Sequence, residues 1–157
     1  MRVWWLLLLG LCLMGTPSAS AQVAVVVNKA NPVRDISLQR VQDIYLGNTV
    51  AWTDHLRIFP VTLKSKEKVT KTFFLKALNK KPNDMRRIWI RLMLSGDVSP
   101  PKVVGLASDV LDYVASNEGA IGFVDMTYLS GQVHKSIQVI AVEGSLPSQA
   151  GYLLHVE

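Results

Sequence analysis

The sequence predicts an α/β domain with a mainly parallel sheet, and three observations support this class. Short, continuous apolar runs at residues 23–27 and 120–124 are typical of strands that are buried on both faces. Other segments have apolar residues that recur at helical spacing. The two kinds of segment alternate along the chain, as they do where helices connect the strands of a sheet.

The first predicted strand, at residues 23–27, is followed by a helix. This helix begins after Ser37, a favourable N-cap residue, and ends at Gly47, where a left-handed residue is favoured. Residues 57–63 form the second predicted strand, and Pro60 within it indicates an edge position or a strand end. The later predicted elements are helices around residues 69–78, 82–95 and 110–115, and strands at residues 120–124 and 137–142.

Residues 1–21 have the features of a cleavable secretory signal. Arg2 supplies a short positive region, residues 3–14 are apolar, and residues 19–21 (Ala-Ser-Ala) form a small-residue cleavage site. The apolar segment is shorter than the roughly 20 residues that a membrane span needs, which favours a cleaved signal over an uncleaved anchor. We therefore expect export to the periplasm, with one domain at residues 22–157.

The chain has 157 residues and a net charge of +5, and its basic residues are distributed unevenly. Residues 57–102 contain 12 basic and 3 acidic side chains. Such a surplus can indicate nucleic-acid binding inside a cell, but export argues against nucleic acid and favours small anions, acidic proteins or anionic membranes. The one cysteine, Cys12, lies in the predicted signal, so no disulfide and no thiol chemistry are expected in the exported domain.

The sequence gives no positive indication of an enzyme. His55, His134 and His155 are widely separated and have no partner at metal-ligand spacing. No G-x-S-x-G elbow, P-loop or dinucleotide-binding fingerprint is present in the sequence. We therefore expect a non-catalytic protein without a metal or another cofactor.

Residues 64–70 suggest a binding site. They read Lys-Ser-Lys-Glu-Lys-Val-Thr and join the second predicted strand to the next helix. The N–H groups at a helix N-terminus attract anions, and lysine and hydroxyl side chains strengthen that attraction. Ligands of open α/β sheets bind where strands end and helices begin. The segment predicts an oxyanion site, and the alternative is an exposed lysine-rich turn without a ligand.

Four segments of the chain, taken in order, carry a resemblance to a known family. In QRVQDIYLGNTVAW, at residues 39–52, a helix ends on a glycine and a tryptophan follows. The strand at residues 59–63 is followed by an aromatic residue, Phe73 or Phe74, on the next helix, and residues 117–124 read NEGAIGFV. These segments resemble, in the same order, segments of the periplasmic phosphate-binding proteins of ABC transporters. In that family a similar strand leads to the phosphate loop, an aromatic residue lies on the next helix, and a later segment reads G-x-I-G-Y-V.

The resemblance implies a single lobe of a type II periplasmic-binding-protein-like fold, with a mainly parallel sheet flanked by helices. The chain has room for about one lobe, like the small single-domain members of this family, whereas most members have two. In the family, the phosphate loop carries an arginine and then Ser-Gly-Thr. Alignment on Phe74 places Lys64 and residues 68–70 at those positions, and alignment on Phe73 places residues 67–69 in the loop. The predicted ligand-binding residues are Lys64, Ser65, Lys68 and Thr70.

Two functions follow from the resemblance. The first is a solute-binding protein for phosphate or a similar small oxyanion, which serves ABC-type transport or sensing together with a membrane transporter or receptor. Because one lobe leaves half of an anion in water, a homodimer is one way to complete the site. The second is an accessory or sensor module of the same fold, which binds a protein partner through basic helix faces that include Arg87 and Arg91.

Trp52 and three glycines are predicted to serve the fold rather than the ligand. Gly47 allows the helix to stop with a positive φ. Trp52 is then expected to fold back over the helix end and to seal the core. Gly119 and Gly122 are expected to let the chain turn tightly into a buried strand.

Overall fold

The structure is a computed structural model that describes residues 22–130 and 134–155, so the predicted signal at residues 1–21 lies outside the described residues. The elements of the described residues are, in chain order, β1 (Val23–Asn28), β2 (Asp35–Ile36), α1 (Leu38–Tyr45), β3 (Ala51–Thr53), β4 (Leu56–Arg57), β5 (Phe59–Leu63), α2 (Lys68–Lys76), α3 (Pro82–Ser95), β6 (Lys102–Val104), α4 (Ala107–Ser116), β7 (Ala120–Asp125), α5 (Met126–Leu129), β8 (Ile137–Val139) and β9 (Ala141–Val142).

The central sheet has five strands in the order β6-β5-β7-β1-β8. Strand β5 pairs in parallel with β6 and with β7, whereas β1 is antiparallel to both β7 and β8. Four of the five strands therefore run in the same direction, and β1 runs against them. The predicted α/β class with a mainly parallel sheet is confirmed.

Strand β1 is buried on both faces, as its continuous apolar sequence predicts, because helices cover both sides of the sheet. All six of its residues are buried. On one face Val25 belongs to a core cluster with residues of α1, α2 and α3, in which the rings of Phe73 and Phe123 stack at 3.9 Å. On the other face Val26 packs in a second cluster with Val110 of α4.

The predicted strand at residues 57–63 is divided between two sheets. Strand β4 pairs with β3 in a small hairpin, and β5 begins at Phe59 and pairs in the central sheet. The edge position indicated by Pro60 is wrong, since β5 lies between β6 and β7. The other possibility, that Pro60 lies near a strand end, is correct. Pro60 is the second residue of β5, where its missing N–H donor affects only the first hydrogen bonds of the strand.

The predicted strand at residues 137–142 is also divided. Strand β8 pairs with β1, and β9 pairs in parallel with β2, with Ile140 between them. The N–H of Ile140 still donates to the carbonyl of Val25 at 3.0 Å. The tail beyond residue 144, which has no periodicity in the sequence, buries Tyr152 and Leu154 against the first core cluster.

The predicted ends of α1 are confirmed. The hydroxyl of Ser37 accepts a hydrogen bond from the N–H of Arg40 at 3.2 Å. Gly47 follows the last helical turn with a φ of 80°. The indole Nε1 of Trp89, on α3, donates to the carbonyl of Tyr45 at 3.0 Å. Trp89 therefore bonds the end of α1, a role that the sequence suggested for Trp52.

Trp52 is buried, so its predicted role in the core is confirmed. It lies beside the first turn of α1, however, and not over the end of that helix as predicted. Its ring lies 5.7 Å from the guanidinium carbon of Arg40, in the first turn of that helix. Gly119 has the predicted role, since it lies in the turn that leads into β7, but the prediction is wrong for Gly122, which lies inside β7 and allows close packing there. A Cβ on Gly119 would lie 1.8 Å from the carbonyl oxygen of Arg57, and one on Gly122 would lie 2.7 Å from a methyl group of Val110.

Candidate functional site

The loop that carries the predicted ligand-binding residues lies between the end of β5 and the start of α2, as expected. Lys64, Ser65 and Lys68 are exposed, and the N–H of Glu67 donates to the carbonyl of Lys64 at 3.0 Å, which closes a turn. Thr70 lies in the first turn of α2 and is fully buried. With Lys66, which is also exposed, the loop presents three lysines and a serine to solvent and one threonine to the protein interior.

Three helices begin at the same edge of the sheet. Strands β5, β6 and β7 run in parallel, and α2, α4 and α5 follow their carboxyl ends. The starts of these helices line one open cleft of about 560 Å³. This is the edge at which ligands of open α/β sheets bind. The residues that line the cleft are Leu63, Glu67, Lys68, Val69, Gly105, Leu106, Ala107, Asp125, Thr127 and Tyr128.

The N-terminus of α2 has no side-chain cap. Glu67 occupies the N-cap position, but its side chain makes no capping hydrogen bond. The first N–H groups of a helix have no partner within the helix. They therefore remain available to an acceptor outside the helix, and a helix N-terminus favours a negatively charged one.

The other two helix starts already bind carboxylates of this chain. Asp125 accepts hydrogen bonds from the N–H of Thr127 at 2.9 Å and from its hydroxyl at 2.7 Å. Asp109 accepts one from the N–H of Leu106 at 3.0 Å. At α5 the carboxylate caps a helical N–H, whereas Asp109 bonds only the N–H of the N-cap residue Leu106, so neither α2 nor α4 has a side chain that caps its first helical N–H groups. Of these two helices, α4 has the acidic Asp109 in its first turn, and α2 has Lys68, which favours an anion at α2.

The hydroxyl of Thr70 is a second unsatisfied group near this N-terminus. Its Oγ1 is buried and has no hydrogen-bond partner among the described residues. A buried polar atom without a partner is uncommon and costs stability, so its presence requires an explanation. A ligand that accepts its proton would supply one.

The four predicted residues do not all line the same cavity. Lys68 lines the cleft, whereas Thr70, two residues further along α2, is buried and is not among the lining residues. Ser65 instead lines a groove between α3 and β6, and Lys64 is not among the lining residues of either cavity. Of the predicted set, Lys68 alone lines the cleft, and Thr70 is its neighbour in the first turn of α2.

The segments at residues 105–107 and 125–128 line the cleft and were not identified from the sequence. Each segment has residues that are typical of the start of a helix. Gly105 lies shortly before α4, and Asp125 is a capping residue at the end of an apolar strand. That they meet the loop at residues 64–70 depends on the pairing of β5 with β6 and β7.

The described residues also bear on metal sites and membrane spans. No group of three or more histidine, aspartate or glutamate side chains in the described ranges is placed to hold a metal ion. Within residues 22–130 and 134–155, no helix has the length and apolar character that crossing a membrane requires.

Comparison with solved structures identifies the same fold in phosphate-binding receptors. An ABC-type phosphate transport receptor from Vibrio cholerae is 24% identical, with a TM-score of 0.63 over 82% of this chain and 48% of that one. A phosphate ABC transporter substrate-binding protein from Clostridium perfringens, with bound phosphate, is 19% identical, with a TM-score of 0.67 over 87% and 53%. PstS from Borrelia burgdorferi is 13% identical, with a TM-score of 0.67 over 87% and 55%.

The chain spans about half the length of these structures. A stretch of 39 residues is 49% identical to phosphate-binding protein PstS 2 of Streptococcus agalactiae, and it covers 25% of this chain and 13% of that protein. No protein-family model matches the chain. The comparisons confirm the resemblance to phosphate-binding proteins and the fold that it implied.

Proposed function

We propose that this chain is an exported, non-catalytic solute-binding protein that binds phosphate, or a small oxyanion of similar shape, for ABC-type transport or sensing. The observation that carries this proposal is the N-terminus of α2, which has no side-chain cap and lies beside a buried threonine hydroxyl without a partner. The named functions of the proteins with the same fold support phosphate as the ligand.

The groups available at α2 suit an oxyanion. The backbone N–H groups of Val69 and Thr70 and the hydroxyl of Thr70 are donors, and the ammonium group of Lys68 adds a positive charge at the cleft. Hydrogen bonds to an ionised acceptor are stronger than those between neutral groups. In this proposal Lys64 and Ser65, which lie outside the cleft lining, raise the local positive potential and do not touch the anion.

The carboxylates of Glu67 and Asp125 give the cleft a basis for discrimination. Both line the cavity into which the N-terminus of α2 opens. A phosphate ion at neutral pH keeps a proton that it can donate to a carboxylate, whereas sulfate has none. A fully ionised anion would therefore meet repulsion without a compensating hydrogen bond, and such repulsion is an effective source of specificity. We propose that phosphate binds more tightly than sulfate.

The remaining parts of the proposal concern the cell. Residues 1–21 act as a signal that is removed before Gln22, and residues 22–157 form the exported periplasmic domain. One lobe leaves part of the anion in water, where each contact is weaker. A membrane transporter or receptor, or a second copy of this chain, supplies the other wall of the site.

Calorimetric titration of the purified protein with phosphate and with sulfate at low ionic strength tests the binding function. We expect saturable binding of phosphate, at least tenfold weaker binding of sulfate, and at least a tenfold loss of phosphate affinity in Lys68→Ala. Arg91→Ala, which removes an exposed cation from α3 outside the cleft, is the matched control and should bind as the wild type does. No heat at millimolar phosphate would overturn the proposal.

A further inference from the structure

The outer face of α3 is unusually apolar for an exposed helix. Of its 14 residues only Met85 is buried. Ile90 and Met93 are 42% and 60% exposed, and they lie three residues apart on one side of the helix. A helix face of this kind normally packs against another element.

A groove separates this face from β6. It has a volume of about 280 Å³, and its lining is largely apolar. Val103 of β6 contributes a side chain that is 53% exposed. The groove is bounded by Trp89, Ile90 and Met93 of α3, by Pro100 and Pro101, and by Leu63, Ser65, Arg86 and Val103.

The strand beside the groove is the last one in the central sheet. Strand β6 pairs with β5 on one side, and no described strand pairs with its other side. An open strand edge next to an apolar groove can accept an extended polypeptide, which forms backbone hydrogen bonds and places alternate side chains in the groove. The backbone edge favours a protein over a lipid surface, which offers no strand to pair.

The charge at the rim of the groove is positive. Arg86 forms no ion pair with the described residues, and it lines both the groove and an adjoining depression with Arg87 and Ile90. The nearby carboxylate of Asp84 lies 3.8 Å from Arg87, where both side chains are exposed to solvent. The rim therefore complements a carboxylate on a ligand. A second copy of this chain, whose net charge is +5, is a poor electrostatic match.

We propose that this groove is a docking site for an extended, acidic and apolar segment of a partner protein. The segment pairs with the open edge of β6, places an apolar side chain between Met93 and Val103, and directs a carboxylate to Arg86. The groove and the cleft of the proposed phosphate site are adjacent cavities, and Leu63 is the residue that lines both. The residues that carry this proposal, Ile90, Met93 and Val103, line the groove and not the cleft.

A phage-displayed library of random 12-residue peptides, selected on the immobilised full-length mature protein, tests the proposal. We expect the selected peptides to share an acidic residue within two positions of a large apolar residue. Resynthesised peptides, measured by fluorescence anisotropy, should bind Ile90→Glu and Val103→Glu at least tenfold more weakly than the wild type. Arg86→Glu should lower the affinity for peptides that keep their acidic residue. It should not lower the affinity for versions of the same peptides in which glutamine replaces that acidic residue.

Two variants serve as matched controls. Leu75→Glu changes an equally exposed aliphatic residue, at 52%, on α2 outside the groove, and Arg91→Glu changes a cation of α3 that does not line it. Both should bind the peptides as the wild type does. Phosphate titration of Ile90→Glu should also match the wild type, which separates the failure of this proposal from the failure of phosphate binding.

Three results would overturn the proposal. The first is a selection without a shared acidic and apolar pattern, or with peptides that bind Ile90→Glu and Val103→Glu normally. The second is binding to phosphatidylcholine–phosphatidylglycerol vesicles that Ile90→Glu abolishes, which would identify the face as a membrane surface. The third is a concentration-dependent dimer that Ile90→Glu dissociates in analytical ultracentrifugation, which would make the occupant a second copy.

Discussion

The indole Nε1 of Trp52 donates a hydrogen bond to the backbone carbonyl of Gly119 at 2.9 Å. These two residues belong to segments that lie 67 positions apart and that separately resemble phosphate-binding proteins. The same carbonyl accepts a bond from the N–H of Phe59, at the start of β5, at 3.0 Å. Trp52 therefore joins β3 to the junction where β5 and β7 begin to pair.

Replacing Trp52 with phenylalanine should lower the free energy of unfolding by about 1–2 kcal/mol. The variant loses a buried hydrogen bond and part of a large apolar side chain, while Gly119 keeps its bond from Phe59. Urea unfolding followed by circular dichroism measures the change. Trp52→Ala should cost more, about 3–5 kcal/mol, since it also leaves a cavity. Equal stability of the wild type and Trp52→Phe would show that the indole N–H contributes nothing.

Gly119→Ala should be among the most destabilising single substitutions in the chain. The added Cβ would lie 1.8 Å from the carbonyl oxygen of Arg57, and a backbone atom cannot move aside as a flexible side chain can. We expect a loss of about 3 kcal/mol or more, measured by urea unfolding.

Gly105→Ala is the control for that substitution. A Cβ there would lie 3.8 Å from its nearest neighbour, the carboxylate of Asp109, which is an ordinary contact distance. Its free energy of unfolding should therefore stay within about 0.5 kcal/mol of the wild type. Similar stability of the two alanine variants would mean that β4 and β7 are farther apart than the structure shows.

Features that depend on local sequence were predicted well. The cap at Ser37, the left-handed Gly47 and the proline in the first turn of α3 act within a few residues, and the structure contains all three. The buried β1 was also identified from the five apolar residues at 23–27, and the observed strand adds Asn28. Its antiparallel direction was not, because strand direction depends on partners about 95 and 110 positions away along the chain.

The candidate site was predicted in part for the same reason. The loop at residues 64–70 has a local signature, and it does connect β5 to α2. That Thr70 is buried, and that Lys64 and Ser65 do not line the cleft, depends on how α2 packs. Gly105 and Thr127 line the cleft because they follow β6 and β7, which pair with β5 on its two opposite sides.

The stability of the protein should decrease above about pH 10. Burial raises the pKa of the Tyr45 hydroxyl, which donates to the carbonyl of Val61 at 3.0 Å, well above its ordinary value of 10.0. The unfolded chain releases this proton near pH 10 and the folded chain retains it. The folded state then binds more protons, so the free energy of unfolding falls as pH rises, by up to about 1.4 kcal/mol per pH unit for one group.

Tyr45→Phe should reduce this dependence on pH. Its free energy of unfolding should be lower than that of the wild type at pH 7, by about 1 kcal/mol for the lost hydrogen bond. Between about pH 10 and 11.5 it should fall less steeply. Phe73→Leu, which weakens the same core without removing an ionisable group, should keep the slope of the wild type. Identical slopes for all three proteins would mean that Tyr45 is not protected from ionisation.

Thr70→Val should leave stability unchanged or raise it by up to about 1 kcal/mol, while it weakens phosphate binding at least tenfold. Valine has nearly the shape of threonine, and the hydroxyl that it removes is buried without a partner in the described residues. If that hydroxyl serves a ligand, its removal costs affinity and not stability. Urea unfolding and phosphate calorimetry on the same preparation measure the two effects.

Thr62→Val is the matched control, since it removes a buried hydroxyl that has a partner. The hydroxyl of Thr62 donates to the carbonyl of Leu63 at 3.0 Å. Leu63 is the last residue of β5, directly before the loop. We expect this variant to lose about 1 kcal/mol of stability and to bind phosphate as the wild type does. A Thr70→Val variant that loses as much stability as Thr62→Val and retains phosphate affinity would assign the Thr70 hydroxyl to the fold. The N–H groups at the start of α2 and Lys68 would then be the remaining candidates for anion recognition.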